Sequence, residues 1–335
     1  MLSAGVVVLC VLLARRLDLD RLLLALKEAD VRLVVLAGIV NLTINTAARV
    51  GRWHALLDPL PHTGSGARRT ELAALYFASQ AASNLLPARA GEALRVVHLH
   101  RRHGYDVSGL VAVQLLEVLV GAVTLGAFTL PMVPLGQAPA SLSAPIVIFA
   151  LAGPVGMILL VWLARIMPGR AEGEAAIAAE AARTSFPARV FAAVRGIVWR
   201  MVEAVRQIHA PRVWARSLAW SVLSDISDVI MIGLVLAAVG VHLSPARWAV
   251  IYAAINLVLL LPTTPAQLGV LEVGAVAALR AFDVDEHAAL AFALLYHASH
   301  VIPPTVVGAL FLPRLDLRRA AADPPPDAGD DKRPA

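Results

Sequence analysis

Apolar residues run along this chain in long blocks, and some of the blocks are broken by proline and glycine partway through. Residues 33–51, 107–131, 145–164, 217–240 and 288–312 each read as a helix able to cross a bilayer. Residues 2–14 add a sixth, shorter run. At 1.5 Å per residue it spans only about 20 Å, so it extends past Arg15 by snorkelling or begins upstream of Met1. No basic region precedes it, and Arg15-Arg16 follows in place of a small-residue cleavage site, so it reads as a retained helix. Two further blocks are interrupted: 72–86 stops at Pro87 and resumes over 88–100, and 249–261 stops at Pro262 and resumes over 266–282.

The interruptions share a skeleton. The first reads Asn84-Leu-Leu-Pro-Ala-Arg-Ala-Gly-Glu-Ala-Leu-Arg95 and the second Leu261-Pro-Thr-Thr-Pro-Ala-Gln-Leu-Gly-Val-Leu-Glu272, with Pro87 and Gly91 spaced like Pro265 and Gly269. An unsatisfied backbone group in lipid costs several kcal/mol, so such a break survives only where protein or a polar cavity surrounds it. Thr264-Pro265-Ala266-Gln267 has the form of a capping box, which predicts a helix starting at Pro265.

Charge decides how the broken blocks are threaded. The segment 165–216 is rich in arginine and belongs on the cytoplasmic side, whereas 132–144 carries no charge and belongs outside. Treating 72–100 and 249–282 as hairpins places Arg52, Arg68, Arg69, Arg101 and Arg102 inside, Asp283, Asp285 and Glu286 outside, and both termini in the cytoplasm. A single crossing at either block would send an arginine cluster the wrong way. The unit of 33–51, 72–100 and 107–131 then matches 217–240, 249–282 and 288–312 with inverted direction. The expected fold is an all-α polytopic membrane protein of about six transmembrane helices and two opposed re-entrant helical hairpins in an inverted repeat, an architecture common among transporters. It occupies residues 1–319, with a disordered tail over 320–335 rich in Ala, Pro and Asp.

Composition agrees. The 335 residues are 59% hydrophobic, and the mean hydropathy is +0.72. The net charge of +5 comes from arginines between apolar runs, which suits anionic lipid rather than nucleic acid. A single cysteine, Cys10, excludes an internal disulfide. Within 165–216, apolar residues at three- and four-residue steps over 187–209 predict an amphipathic helix on the cytoplasmic surface, or one packed on another loop. No phosphate-binding loop, zinc-protease, nucleophile-elbow or dinucleotide pattern is present, so neither an enzyme nor a cofactor is expected. His297 and His300 lack a third ligand at usable spacing, and no metal is expected.

What remains is binding. Half-helices that start near mid-membrane aim unpaired N–H groups and a positive dipole end at its centre, and Arg89 adds a full charge there. An anion held at that depth is most simply a lipid head group. The substrate-binding candidates are Asn84, Pro87, Arg89, Gly91, Glu92 and Arg95 in the first break, Pro262, Pro265, Gly269 and Glu272 in the second, and Glu117 and His297 at matching places in the flanking spans. Glu92 and Glu272 would orient Arg89 or meet a cationic part of the substrate. The bland alternative is that Arg89, Glu92 and Arg95 pair with one another or snorkel to the surface. Asp225 and Asp228, a turn apart, either relay protons or a coupling cation, or lie near a head group. His98, His100 and His103 read as a solvated basic turn.

These same residues resemble a known family. Arg15-Arg16-Leu-Asp18, Gly51-Arg52-Trp53, the Asn84–Arg95 string and the Leu261–Glu272 string are similar to the flippase-like transmembrane domain of lysylphosphatidylglycerol synthases over residues 10–312. The resemblance implies an inner-membrane protein that translocates lipids, whether an aminoacylated phosphatidylglycerol, a hopanoid or a polyisoprenoid-linked sugar. Where the family often has Glu-Arg and a following Asp, this chain has Glu117, Val118 and Gly121, and His297 stands where an arginine is common. The soluble aminoacyltransferase domain is absent from the sequence. The alternative is a non-transporting scaffold for a lipid- or glycan-modifying enzyme that docks on 165–216. A membrane-embedded transferase using Glu92, His98 or Asp225 is a third reading.

Overall fold

A computed structural model describes residues 19–86, 90–167, 186–208, 210–259 and 265–312. The expected span over 2–14 and the tail over 320–335 lie outside these residues. Among the described residues the protein is all helical: α1 (Leu19–Glu28), α2 (Val31–Leu57), α3 (Arg69–Leu85), α4 (Ala90–His103), α5 (Val107–Thr129), α6 (Ala140–Ile166), α7 (Phe186–Gln207), α8 (Pro211–Ala238), α9 (Pro245–Val258), α10 (Val270–Arg280) and α11 (Glu286–Phe311). Five of them, α2, α5 (running on to Met132), α6, α8 and α11, are long and apolar enough to cross a membrane. Local signals set their starts. Asp30, Asp106 and Asp285 cap α2, α5 and α11 by accepting backbone N–H groups of the first turn, and Pro211 and Pro245 open α8 and α9, where a missing N–H costs nothing.

Both interrupted blocks are hairpins. α3 packs along α4, and α9 along α10. The foot of the first hairpin is closed by Glu71 at the start of α3 against His103 at the end of α4, Nε2 to Oε1 3.0 Å. Near its tip, the backbone of α4 at Gly91 lies so close to α3 that an added Cβ would sit 1.8 Å from the Ser79 carbonyl oxygen. Leu56, Leu57, Leu72, Leu99, Tyr105, Leu110, Val202 and Val213 share one core, which gathers the foot of this hairpin with the end of α2 and the starts of α5 and α8. A second core at the other end joins Val250, Leu279 and Phe292 to Leu236, and there Asp30 N–H donates to Ala238 O at 2.9 Å. The two hairpins therefore open towards opposite ends of the bundle. The turn at Pro265–Gln267 of the second hairpin packs on α3 of the first.

Two details depart from expectation. α10 begins at Val270 rather than Pro265, and Gly269 (φ 81°) is its N-cap. Pro265–Gln267 makes only a tight turn with Ala266 and Gln267 at positive φ, and the cap comes from Glu272, whose Oε2 accepts Gly269 N–H at 2.7 Å. The second concerns α7: the helix expected over 187–209 is present, and the described part of its apolar side packs on the spans and not on another loop. Trp199, Val202, Val205 and Ile208 are buried against α5 and α6, and Arg206 Nε donates to Ala164 O at the end of α6 at 2.8 Å. The lipid-facing surface lies elsewhere: on α6, Ile148, Val155, Ile158 and Trp162 are all exposed.

α2 and α11 carry paired defects. The helical turn widens over Asn41–Asn45, and the Thr46 hydroxyl takes up the Asn41 carbonyl at 2.9 Å. Pro303 and Pro304 inside α11 leave the carbonyls of Ser299 and His300, four residues earlier, without their helical donors. Asn41 Nδ2 supplies both, at 3.2 Å and 2.9 Å. Replacing Asn41 with Ala strands two carbonyls at about 1–3 kcal/mol for each buried group, so Asn41→Ala is expected to lower the melting temperature in detergent by several degrees. An unchanged melting temperature would show that another group takes over both carbonyls.

Candidate functional site

Arg49 and Arg52 of α2 point into the bundle, towards α8. Asn45, Arg49 and Arg52 follow Asn41 at four, four and three residues, a single stripe of the helix. Trp53, beside them, is 2% exposed, although an arginine-aromatic edge such as Arg52-Trp53 is typical of a membrane interface. The stripe meets α8, where Asp225 and Asp228 are buried rather than near a head group. Asn45 Nδ2 donates to Asp228 Oδ1 at 2.7 Å, and Arg49 Nη2 to Asp228 Oδ2 at 3.0 Å. Arg49 Nε donates to Asn45 Oδ1 at 2.6 Å, which fixes the asparagine's orientation. The Tyr252 hydroxyl of α9 reaches Asp228 Oδ2 at 2.9 Å and Asp225 Oδ1 at 3.3 Å.

One turn further along, Arg52 Nη1 donates to Ser221 Oγ of α8 at 2.9 Å, and Thr124 of α5 joins the same hydroxyl at 3.0 Å. Glu117 of α5 faces two arginines, Arg95 Nη1 at 3.6 Å and Arg52 Nε at 3.9 Å. Both distances exceed a hydrogen bond, and Arg52 Nε is buried with no hydrogen-bond partner among the described residues. Arg95 Nε donates to Ser79 Oγ at 2.8 Å, and its guanidinium lies 5.0 Å from the ring centres of both Trp53 and Tyr76. Three arginines and three carboxylates, drawn from α2, α4, α5 and α8, thus share one buried network.

Of the expected site residues, Arg95, Glu117, Asp225 and Asp228 fall in this network. Glu272 and His297 pair with each other, Nδ1 to Oε1, and Asn84 Nδ2 donates to Thr305 of α11 at 2.7 Å. Glu117 and His297 hold corresponding places, but each binds the second arm of its own hairpin. Glu92 lies in the first turn of α4, and its carbonyl accepts Gln114 Nε2 at 2.9 Å. Gly91 serves close packing and Gly269 caps a helix. Pro265 begins the tight turn, and Pro87, Arg89 and Pro262 lie outside the described residues.

The family model for the lysylphosphatidylglycerol synthase TM region matches residues 1–308. The chain belongs to this family. A search of curated proteins finds no match. With the apolar helices, membership identifies a multi-pass membrane protein. Residues that sequence reasoning passed over in this member of the family are Asn41, Asn45, Arg49, Arg52, Ser221 and Tyr252. The signal was present on α2, where four polar residues share one stripe of an apolar run. Ser221 and Tyr252 carried none, because only packing brings them to the network.

The histidines at the foot of the first hairpin are a further correction. His98 and His103 are buried, not solvated. Glu71 Oε1 takes His98 Nε2 at 3.1 Å, His103 Nε2 at 3.0 Å and Arg102 Nε at 3.1 Å. Burial works against the Glu71 charge, but the hydrogen bonds from His103 and His98 and the nearby Arg102 outweigh it and hold the carboxyl below its ordinary pKa. The stability from this depressed carboxyl is present above the ordinary pKa and is lost as pH falls through the folded-state value. Glu71→Gln is therefore expected to flatten the acid limb of thermal stability against pH, and an acid limb as steep as wild type would contradict this.

Removing Arg49 would leave the Asp228 charge buried without its cation, at about 3–5 kcal/mol for breaking such a pair. Arg49→Ala is expected to be strongly destabilised, and Arg49→Ala/Asp228→Asn to recover part of the loss. A double variant as unstable as the sum of the single variants would show that the two groups do not interact.

Proposed function

We propose that this protein moves an anionic lipid, a phospholipid or an isoprenoid-linked phosphate, between the leaflets of the cell inner membrane, with both termini in the cytoplasm. The observation that carries this reading is the under-coordinated arginine pair around Glu117. Arg52 Nε is buried without a hydrogen-bond partner among the described residues, and neither Arg52 nor Arg95 reaches Glu117 within hydrogen-bond distance. Buried guanidinium groups seek oxygen, and a phosphate supplies it in the matching planar fork. Arg89, between α3 and α4 in the sequence, is the candidate for a further contact. Family membership and the two opposed hairpins support the same reading.

In this mechanism Glu117 holds the arginines while the site is empty, and a head group displaces it. The site is closed in the described conformation, with Glu117 only 8% exposed, so loading requires the helices around it to part. The chemistry asked of the protein is desolvation and charge pairing, with no bond made or broken, so no enzymatic step is assigned. The alternative, a scaffold that docks a modifying enzyme on 165–216, finds little support in the described part of that segment. There the apolar side of α7 is already buried.

Native mass spectrometry of the full chain in mild detergent tests the reading, comparing wild type with Arg89→Ala and Arg95→Ala. One class of anionic lipid retained by wild type and lost, by tenfold or more, in either folded variant is the expected result. Equal retention of a bulk lipid mixture by all three proteins would remove the phosphate site and favour the scaffold.

A further inference from the structure

The hydrogens around Asp225 can be counted. Asp228 is saturated: Oδ1 takes Asn45 Nδ2 at 2.7 Å, and Oδ2 takes Arg49 Nη2 at 3.0 Å and the Tyr252 hydroxyl at 2.9 Å. Tyr252 owns one hydroxyl hydrogen, and the shorter contact commits it to Asp228. Asp225 Oδ1 nevertheless lies 3.3 Å from that same hydroxyl oxygen. An ionised Asp225 would put lone pairs against lone pairs there. Its other oxygen, Oδ2, is buried with no hydrogen-bond partner among the described residues, and the residue is 4% exposed. The Thr124 hydroxyl also faces Asp225, but outside direct hydrogen-bond distance, and its single hydrogen is shared with Gly121 O at 3.1 Å and Ser221 Oγ at 3.0 Å.

The arrangement closes if Asp225 carries the missing hydrogen and donates it to Tyr252. The geometry points to a proton-binding site at Asp225, linked through Tyr252 to Asp228 in one hydrogen-bonded chain. Asp225–H donates to the Tyr252 oxygen, and Tyr252–H donates to the Asp228 carboxylate. Release of the proton from Asp225 leaves two carboxylates competing for one tyrosine hydrogen. The charged and titratable groups facing this chain are Arg49 and Arg52 from α2 and Tyr296 and His300 from α11, with Glu117 from α5 behind Arg52.

The consequence is linkage. With Asp225 protonated, Arg49, Arg52 and Arg95 outnumber Glu117 and Asp228 by one charge, and with it ionised the set is balanced. A proton at Asp225 therefore favours an anion among the arginines, and the anion favours the proton in return. This linkage rests on the lipid-transport reading, whereas the proton site does not.

Infrared difference spectroscopy of the full chain in nanodiscs, between acid and alkaline pH, reads the proton directly. Wild type is expected to show the carbonyl stretch of a buried carboxylic acid. Asp225→Asn should lose that band, and Tyr252→Phe should keep it at a higher frequency because the acceptor is gone. No such band in wild type, or a band that survives in Asp225→Asn, would overturn the site. A band abolished by sodium at constant pH would also overturn it, in favour of a metal-cation site.

The linkage is read in vesicles of zwitterionic lipid holding a labelled anionic phospholipid. An imposed pH gradient should change lipid movement severalfold in wild type and not in Asp225→Asn. Movement in wild type that ignores the gradient overturns the linkage. An acid band in a protein that moves no lipid under any gradient defeats the transport reading and the linkage with it, and leaves the proton site standing.

Discussion

Everything in this bundle hangs on the polar stripe of α2. A charge or an open backbone group within the membrane has no water to turn to, so each must find its partner inside the protein. Asn41 meets the carbonyls opened by the prolines of α11, Asn45 and Arg49 meet Asp228, and Arg52 meets Ser221. Trp53, next along, lies beneath the Arg95 guanidinium of the first hairpin. One helix thereby fixes the position of three others through directional contacts. Apolar packing alone would let those helices slide, because lipid tails are as apolar as leucine.

The inverted repeat is matched in form and reversed in charge. In the first half the hairpin supplies the base and the span the acid, as Arg95 faces Glu117. In the second half the hairpin supplies the acid and the span the base, as Glu272 faces His297. The second pair is closed: Glu272 also caps its own helix through Gly269, and both of its oxygens are engaged. The first pair is open, with distances too long for hydrogen bonds. Two sites built on one plan thus differ in their readiness to exchange a partner, and the cationic half is the one left available.

Much of this was legible in the sequence, and the places where it was not share a cause. The spans, the two hairpins and their opposition followed from apolar length and arginine placement, both of which report on the bilayer directly. The direction a side chain faces is set by neighbours that periodicity cannot see. Arg52-Trp53 looks like an interfacial edge because such edges have that composition, yet here Trp53 is core. His98 and His103 sit beside arginines and read as solvated, until Glu71 arrives from the start of another helix. Thr264 and Gln267 have the spacing of a cap, but Ala266 and Gln267 turn left-handed, and the glycine after them starts the helix instead.

The proline pair in α11 divides one helix between two allegiances. Before it, His297 is bound to the second hairpin through Glu272. After it, Thr305 is bound to Asn84 at the tip of the first hairpin, and Gly308 lies so close to α3 that an added Cβ would meet the Phe77 carbonyl oxygen at 2.0 Å. The joint between these halves is held by the amide of Asn41. α11 is therefore a jointed rod with one hairpin fastened to each end, and the hinge pin sits on the helix that also carries the charges.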